Sequence, residues 1–334
     1  MVDEKTGWHS AYTGRLIREL SMNSRASISD LSAALGVSRP NVQRRLAATE
    51  KHFNLRYLLE LDPRAIGLTE PHLIVMKFRR RPAYGRVIEL LSRSHVTQLV
   101  ALTSGQYDMI VYANAFSKEE YYAWNATMRN KLILPYRTRW EESEISYQRL
   151  GFLPVRNEAI ARSPLKEKDR KILLLLNSNS RMPLDAISRA TGIGYKSVSY
   201  HIKRLVARGY IKRFTVSAGM SEGVVPMTLL SRFIPSDDAK GTALVTVNLF
   251  THDDAEGMLN RYQATAALAG SYGFFVLGSF RNRHRAYVDM VTAFRNAFRR
   301  FGKSKAVHAV ITSVPVGSLP LRNVDAKAVY RYTL

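Results

Sequence analysis

The sequence predicts an α+β chain in which two helix-turn-helix units, winged or simple, alternate with two ferredoxin-like βαββαβ sandwiches. Three observations predict it. One helical pattern occurs twice at a constant offset of 156 positions. A β-α-β-β-α-β order of apolar periodicities follows each copy. A glycine-x-tyrosine turn recurs in both, at Gly105-Gln106-Tyr107-Asp108 and Gly270-Ser271-Tyr272-Gly273. Solenoid arrays repeat every ~20–50 residues, so a repeat of this size signals duplication of whole domains.

In the first copy a helix over 15–20 leads through Asn23-Ser24-Arg25 to a short helix over 29–35, with Ser27 available as its cap. Gly36-Val37-Ser38 is the turn, and Ser38 opens a third helix to about Lys51, with Pro40 tolerated in the first turn. The second copy repeats the plan: 169–176, then Asn179-Ser180-Arg181, 183–190, the turn Gly192-Ile193-Gly194, and a helix over 195–208. Gly209 suits the left-handed stop of that helix, and 210–216 alternates like a strand. The first copy departs late: Thr49, Phe53, Asn54 and Leu55 stand where Leu205, Gly209, Tyr210 and Ile211 stand in the second, so its helix is expected to exit differently.

The first sandwich is expected as strand 73–78, helix 85–93, strands 96–103 and 108–113, helix 118–131 and strand 137–146. The second is expected as strand 244–250, helix 254–262, strands 265–269 and 274–280, helix 285–301 and strand 307–314. The turn motifs lie 165 apart instead of 156, which places an elaborated loop carrying Gly219, Gly223, Pro226 and Pro235 between Val216 and Thr242. The expected domains are therefore 1–62, 70–150, 165–217 and 240–320, with a linker at 151–164 and an irregular tail at 321–334.

Fifty Lys and Arg against 27 acids give a formal charge of +23, which suits a polyanionic partner and double-stranded DNA above all. Residues 1–160 carry 23 bases and 16 acids, a net +7; the remainder carries 27 and 11, a net +16. Cysteine is absent, which excludes disulfides, thiolate zinc sites and cysteine nucleophiles. The uncharged stretch 264–280 is too short and polar for a membrane span and reads as a buried strand pair. Residues 1–14 have no apolar core of a signal peptide, so a cytoplasmic, nucleoid-associated chain is expected. The eight histidines show no ligand spacing, and His252-Asp253-Asp254 reads as a helix cap. No Walker loop, dinucleotide fingerprint or nucleophile elbow occurs. No enzyme, cofactor or metal is expected.

The residues Asp169, Ile172-Leu173, Leu176, Ser180-Arg181, Gly192-Ile193, Val198, Ile202, Leu205 and Gly209-Tyr210-Ile211 resemble the helix-turn-helix of the Lrp/AsnC, or feast/famine, family. The chain looks like two such proteins in tandem. The resemblance implies ferredoxin-like RAM-type domains that assemble the protein, at least as a homodimer, and sense an amino acid or other small metabolite. By that resemblance the effector candidates are Gly105, Tyr107, Asp108, Gly270 and Tyr272; the turn's acid is kept at Asp108 and replaced by Gly273.

If Val42 and Leu46 face the core, the first recognition helix turns Ser38, Arg39, Asn41, Gln43 and Arg44 outward, with Arg45 at the boundary. Arginine, asparagine and glutamine suit guanine and adenine edges, so this helix is expected to discriminate sequence. In the second, Val198, Ile202 and Leu205 face inward and leave Tyr195, Lys196, Ser197, Ser199, Tyr200, Lys203 and Arg204 for DNA, with His201 at the boundary. These residue types suit backbone anchoring. The expected function is a sequence-specific transcription regulator. Two alternatives stand beside it: a chromatin-like architectural protein, and a tetrapyrrole enzyme like siroheme decarboxylase, which resembles the same family.

Overall fold

A computed structural model describes residues 11–150, 154–217, 225–233, 262–272, 274–280 and 307–320. The chain divides into two compact units, each made of two separated stretches: 1–67 with 157–222, and 68–156 with 223–334.

The first unit holds both helix-turn-helix modules. Helices α1 (Ala11–Met22), α2 (Ile28–Leu35) and α3 (Arg39–Phe53) form one. Leu16, Leu20, Leu31, Leu35, Val42 and Leu46 close its core, the positions that helical periodicity assigns inward. Ser27 and Asp30 cap α2 reciprocally, and Gly36 ends it at φ 67°. Ser38 holds the N-cap position of α3 without a side-chain bond, so its contribution is the extended backbone, with Pro40 already in the first turn. Helices α7 (Glu167–Ser178), α8 (Leu184–Thr191) and α9 (Tyr195–Ala207) build the second module around Ile172, Leu173, Leu176, Ile187, Val198, Ile202 and Leu205.

Helices α3 and α9 both lead into strands. Strand β1 spans Arg56–Leu61 and β6 spans Ile211–Ser217. The unexpected one is β1. Asn54 adopts the left-handed conformation (φ 44°) that Gly209 (φ 74°) supplies in the second copy, one position later in the repeat because α3 continues past the point at which α9 stops. Strands β1 and β6 pair antiparallel, Leu58 opposite Thr215 and Leu59 opposite Phe214, and join the modules into one body.

In the second unit, β2 (Glu70–Phe78), α4 (Tyr84–Ser92), β3 (Thr97–Gly105), β4 (Met109–Ala115), α5 (Lys118–Tyr136) and β5 (Thr138–Leu150) realise the first βαββαβ order, with strands side by side as β3-β4-β2-β5. The helices cover one face over Ile74, Met76, Val87, Leu91, Val111, Tyr121, Trp124 and Leu132.

The later described part of the second unit supplies β7 (Val225–Phe233), β8 (Tyr262–Gly270), β9 (Phe274–Phe280) and β10 (Val307–Pro320), ordered β8-β9-β7-β10. Here the sequence expectation is corrected. The first-strand position beside β9 and β10 is held by β7, inside the stretch that reads as a loop around Pro226. Tyr262, expected to end a helix, pairs in β8 with Gly278. The strand expected at 244–250, the rest of that helix, the helix at 285–301 and the tail lie outside the described residues. The expected strand pair around Gly270 forms as β8 and β9.

The two sheets join edge to edge through β5–β8 and β10–β3 and close on themselves. The edge strands of both sheets are thus paired within one chain, so neither sheet presents an open edge of unpaired backbone groups there.

The expected linker is not slack. It contains α6 (Asn157–Arg162), and just before it Arg156 is buried against the first sandwich. The Arg156 guanidinium donates to the carbonyls of Ser92 (3.0 Å), Ser94 (2.8 Å) and Thr97 (3.0 Å), and its backbone N–H to Gln98 Oε1 (2.9 Å).

Candidate nucleic-acid interface

Helices α3 and α9 each show solvent a polar face because their apolar residues are taken by the core of their module. On α3, Ser38, Arg39, Gln43 and Arg44 are exposed and Asn41 and Arg45 half-buried. Asn41 Oδ1 accepts from both Arg44 Nη2 and Arg45 Nε at 3.3 Å, so the three side chains form one hydrogen-bonded group on the outward face. The Arg45 guanidinium also lies 4.2 Å from the centre of the Tyr12 ring, a cation–π contact that ties it to α1.

On α9, Tyr195 (56% exposed) and Tyr200 (61%) project with Lys196 and Lys203, while Ser197 and Ser199 are half-buried. Arg204 is engaged internally. Its Nη2 sits 2.5 Å from Asp169 Oδ2, and His201 Nδ1 lies 2.7 Å from Oδ1 of the same carboxylate. Asp169 is buried, so two cationic or polar groups of α9 are clamped to α7. The first module has no such pair, since Thr13 and Ala48 occupy the corresponding positions 156 residues earlier.

What sequence reading missed is the seam between the modules. Ser24 Oγ and Ser180 Oγ, equivalent residues of the repeat, meet at 2.8 Å in a buried contact. Ser24 N–H donates to Phe214 O (2.8 Å) and Ser180 N–H to Tyr57 O (3.1 Å), so each copy binds the other's strand in the same way. Arg25 lies over Phe214 and Arg181 over Tyr57, completing a local pseudo-twofold. Burial and the neighbouring Arg181 lower the Arg25 pKa. Burial, then a hydrogen bond to Glu50, pushes the Tyr57 phenol up to about 12. The signal was present as the repeated Asn-Ser-Arg, but nothing local says that its two copies touch.

The candidate effector residues meet in the second unit. Tyr107 and Tyr272 are buried, their rings 6.2 Å apart and edge to face, and their hydroxyls contact each other. Both hydroxyls donate to Glu141 Oε2, at 2.6 Å from Tyr107. Burial, and then the bond to Glu141, raises the Tyr107 pKa, which keeps the phenol a donor. Asp108 is held by Lys77 Nζ (2.8 Å) and Phe78 N–H (2.9 Å). Gly270 (φ 130°) faces Ser143, and Gly105 (φ 118°) faces Ser313, so each turn glycine stands opposite the other repeat's last strand. A Cβ at Gly270 would lie 3.0 Å from Glu142 O, which together with φ explains the glycine.

Among the described residues no group of acidic, histidine or cysteine side chains could hold a metal, and no helix is long and apolar enough to cross a membrane.

Residues 14–48 match the AsnC-type helix-turn-helix domain and residues 165–212 a winged helix-turn-helix DNA-binding family. The chain is 39% identical over 54 residues to the HTH-type transcriptional regulator FL11 of Pyrococcus horikoshii, a match covering 16% of this chain and 36% of that regulator's length. Among solved structures, the siroheme decarboxylase NirDL, in complex with an iron-uroporphyrin III analogue, superposes with a TM-score of 0.55 at 11% identity, covering 92% of each chain. An AsnC family transcriptional regulator from Agrobacterium tumefaciens gives a TM-score of 0.37 at 18% identity, over 41% of this chain and 90% of that one. The likeness to NirDL is one of fold. By direct match the first module is of the AsnC type and the second is a winged helix-turn-helix.

Proposed function

We propose, from the premise that this chain carries Lrp/AsnC-type helix-turn-helix modules, that it is a DNA-binding transcription regulator whose two unlike recognition helices read one asymmetric operator. The observation that carries this reading is that α3 and α9 belong to one unit, fastened through β1–β6 and the Ser24–Ser180 contact, with different outward residues on each. Arg39, Asn41, Gln43 and Arg44 are the group for base edges, since their donors and acceptors match guanine and adenine. Tyr195, Lys196, Tyr200 and Lys203 suit phosphate and sugar contacts. Arg45 and Arg204, each tied inside its module, serve chiefly to orient the helix.

The paired turns are where a small metabolite would act, by competing for the Tyr107–Tyr272–Glu141 contacts. A single chain supplies both turns, so one effector would meet two unlike halves.

The test is selection of bound duplexes from a random pool at about 150 mM salt, where non-specific phosphate attraction is already weakened. Enrichment of two different half-sites about 10 base pairs apart supports the reading. Retention of bulk DNA without enrichment favours a chromatin-like role. The fold shared with NirDL is the ground for one other reading, a tetrapyrrole-binding enzyme; no DNA retention together with a saturable shift of the siroheme Soret band on adding the protein, and turnover of the bound siroheme, would favour that instead.

A further inference from the structure

The sequence run Arg79-Arg80-Arg81 lies far along the chain from either recognition helix, and the function proposed above does not use it. In the second unit it becomes part of a larger patch. Phe78 pairs with Thr138 at the end of the β2–β5 ladder, so the chain leaving β2 and the chain entering β5 run side by side there. Arg80 N–H donates to Tyr136 O at 3.0 Å, fixing the run against the end of α5. The next residue, Arg137, caps α5 in the left-handed conformation (φ 48°). Arg86 follows in the first turn of α4, its N–H bonded to Ala83 O at 2.9 Å. Tyr84 and Tyr136 pack edge-on against Phe78, at 6.0 and 6.2 Å, and form an aromatic floor under the loop.

Arg79, Arg80, Arg81, Arg86 and Arg137 are all exposed, and among the described residues none forms an ion pair. The nearby acids are already engaged: Asp108 by Lys77, Glu141 by Arg139 and Glu89 by Arg93. Five cations are thus gathered on a tethered loop and two helix ends without counter-charge. Such a patch repels itself in the free protein and is relieved by a polyanion. Flexible surface lysines would disperse; guanidinium groups on a pinned backbone present forked donors suited to phosphate oxygens.

We propose that this patch is a second phosphate-binding surface, which holds the backbone of duplex DNA outside the segments read by α3 and α9. The assignment to DNA rests on the helix-turn-helix reading above, because DNA held by one unit is present at high effective concentration for the other. The surface carries no base readout: it adds affinity and footprint length but no sequence preference.

The experiment compares the full-length wild type with a variant carrying Arg79→Gln, Arg80→Gln, Arg81→Gln, Arg86→Gln and Arg137→Asn, the last chosen because asparagine tolerates the left-handed backbone. A second variant, Arg79→Gln with Arg80→Gln and Arg81→Gln, is confined to the exposed run and serves if the larger one unfolds. Each is titrated, over a range of salt, with a duplex just covering the selected motif and with one extended by several helical turns. The wild type is expected to bind the extended duplex about tenfold more tightly or better, with a salt slope steeper by about 3.6 to 4.5, the release from four or five phosphates. The larger variant is expected to lose that excess while binding the short duplex as the wild type does. The excess surviving in the variants, or equal loss on both duplexes, overturns the proposal and leaves the helix-turn-helix reading standing. So does loss of binding to anionic lipid vesicles with DNA binding unchanged, which would assign the patch to a membrane surface. Wild type that binds neither duplex overturns both readings.

Discussion

Replacing Asp169 by asparagine should loosen α9 in particular, and the size of the effect can be worked from the packing. The Asp169 side chain is 7% exposed and its partners Arg204 and His201 are 20% and 11% exposed. Removing one partner of a buried pair costs about 3–5 kcal/mol, because the remaining charge is left without compensation. Water reaches part of the Arg204 head, so about 2–4 kcal/mol is the appropriate range here. Asparagine keeps the shape and one acceptor, which isolates the charge. With a tenfold change for every ~1.4 kcal/mol, amide exchange across Tyr195–Ala207 should accelerate about 30- to 700-fold where it proceeds through opening of the module. Hydrogen exchange followed by mass spectrometry of the full chain reads this directly. Adding Arg204→Gln to Asp169→Asn should recover at least half of the lost protection, since the stranded charge is gone. If Asp169→Asn changes α9 exchange by less than about threefold, the ion pair is screened like a surface pair and the clamp argued from it is wrong.

Other expectations follow from the same contacts. Arg44→Ala should relax preference at one base pair by about 1–3 kcal/mol in a binding-site selection, whereas Lys196→Ala should weaken all sequences alike and flatten the salt slope by about 0.9; the opposite pattern would exchange the roles of the two helices. Gly270→Ala combines a strained φ with a 3.0 Å approach to Glu142 O, and should lower the urea midpoint of the second unit by an amount worth about 1–3 kcal/mol; an unchanged midpoint would mean the β5–β8 seam yields. His72, stacked on Tyr121 at 3.6 Å, has its pKa lowered by burial against the opposing pull of Glu142 and Glu144. Above the ordinary histidine value of about 6.5 both states hold it neutral. As pH falls below that, the unfolded chain takes up the proton first, and stability declines until the folded pKa is passed. Melting curves between pH 7.5 and 5 (about the range in which histidine titrates) should therefore fall less steeply for His72→Phe, and parallel curves would remove His72 from the acid response.

Most of the helical architecture was legible because it is written at short range. The caps at Ser27 and Gly36, the turn at Gly192 and the inward stripe Val198-Ile202-Leu205 are set by residues within a few positions of one another. Strand β1 was missed for a related reason: the eye expects glycine after a recognition helix, and Asn54 takes the same left-handed turn one residue later. Strand β7 was hidden by Pro226 and the surrounding glycines, which read as a loop; its strand character comes from pairing with β9 and β10, on residues about 50–80 positions away. For the interface, exposure of Arg39, Gln43, Arg44 and Lys196 followed from periodicity alone. The internal engagement of Arg204 did not, because its partner sits 35 residues upstream on another helix.

The seam residues suggest why carrying two helix-turn-helix modules within one chain matters to the proposed function. Where two identical chains must associate before two recognition helices can act together, the fraction of paired helices falls on dilution. Here Ser24 meets Ser180, β1 meets β6, and the four-stranded halves of the second unit close on each other through covalently linked partners. Linkage replaces subunit concentration by an effective concentration that is typically millimolar for short tethers, so the pair persists at any expression level. It also frees the two halves to diverge. In a symmetric dimer a change on the recognition helix alters both half-sites at once, whereas here Asn41 and Gln43 can be tuned without touching Ser197 and Ser199. The different outward residues of α3 and α9, and an ion pair at Asp169 where the first module has Thr13, are differences that such linkage permits. An operator read by such a chain has a polarity. Inverting the whole motif relative to a neighbouring promoter, while preserving its affinity for the protein, should change regulation of that promoter; equal regulation in both orientations would remove the functional argument from asymmetry.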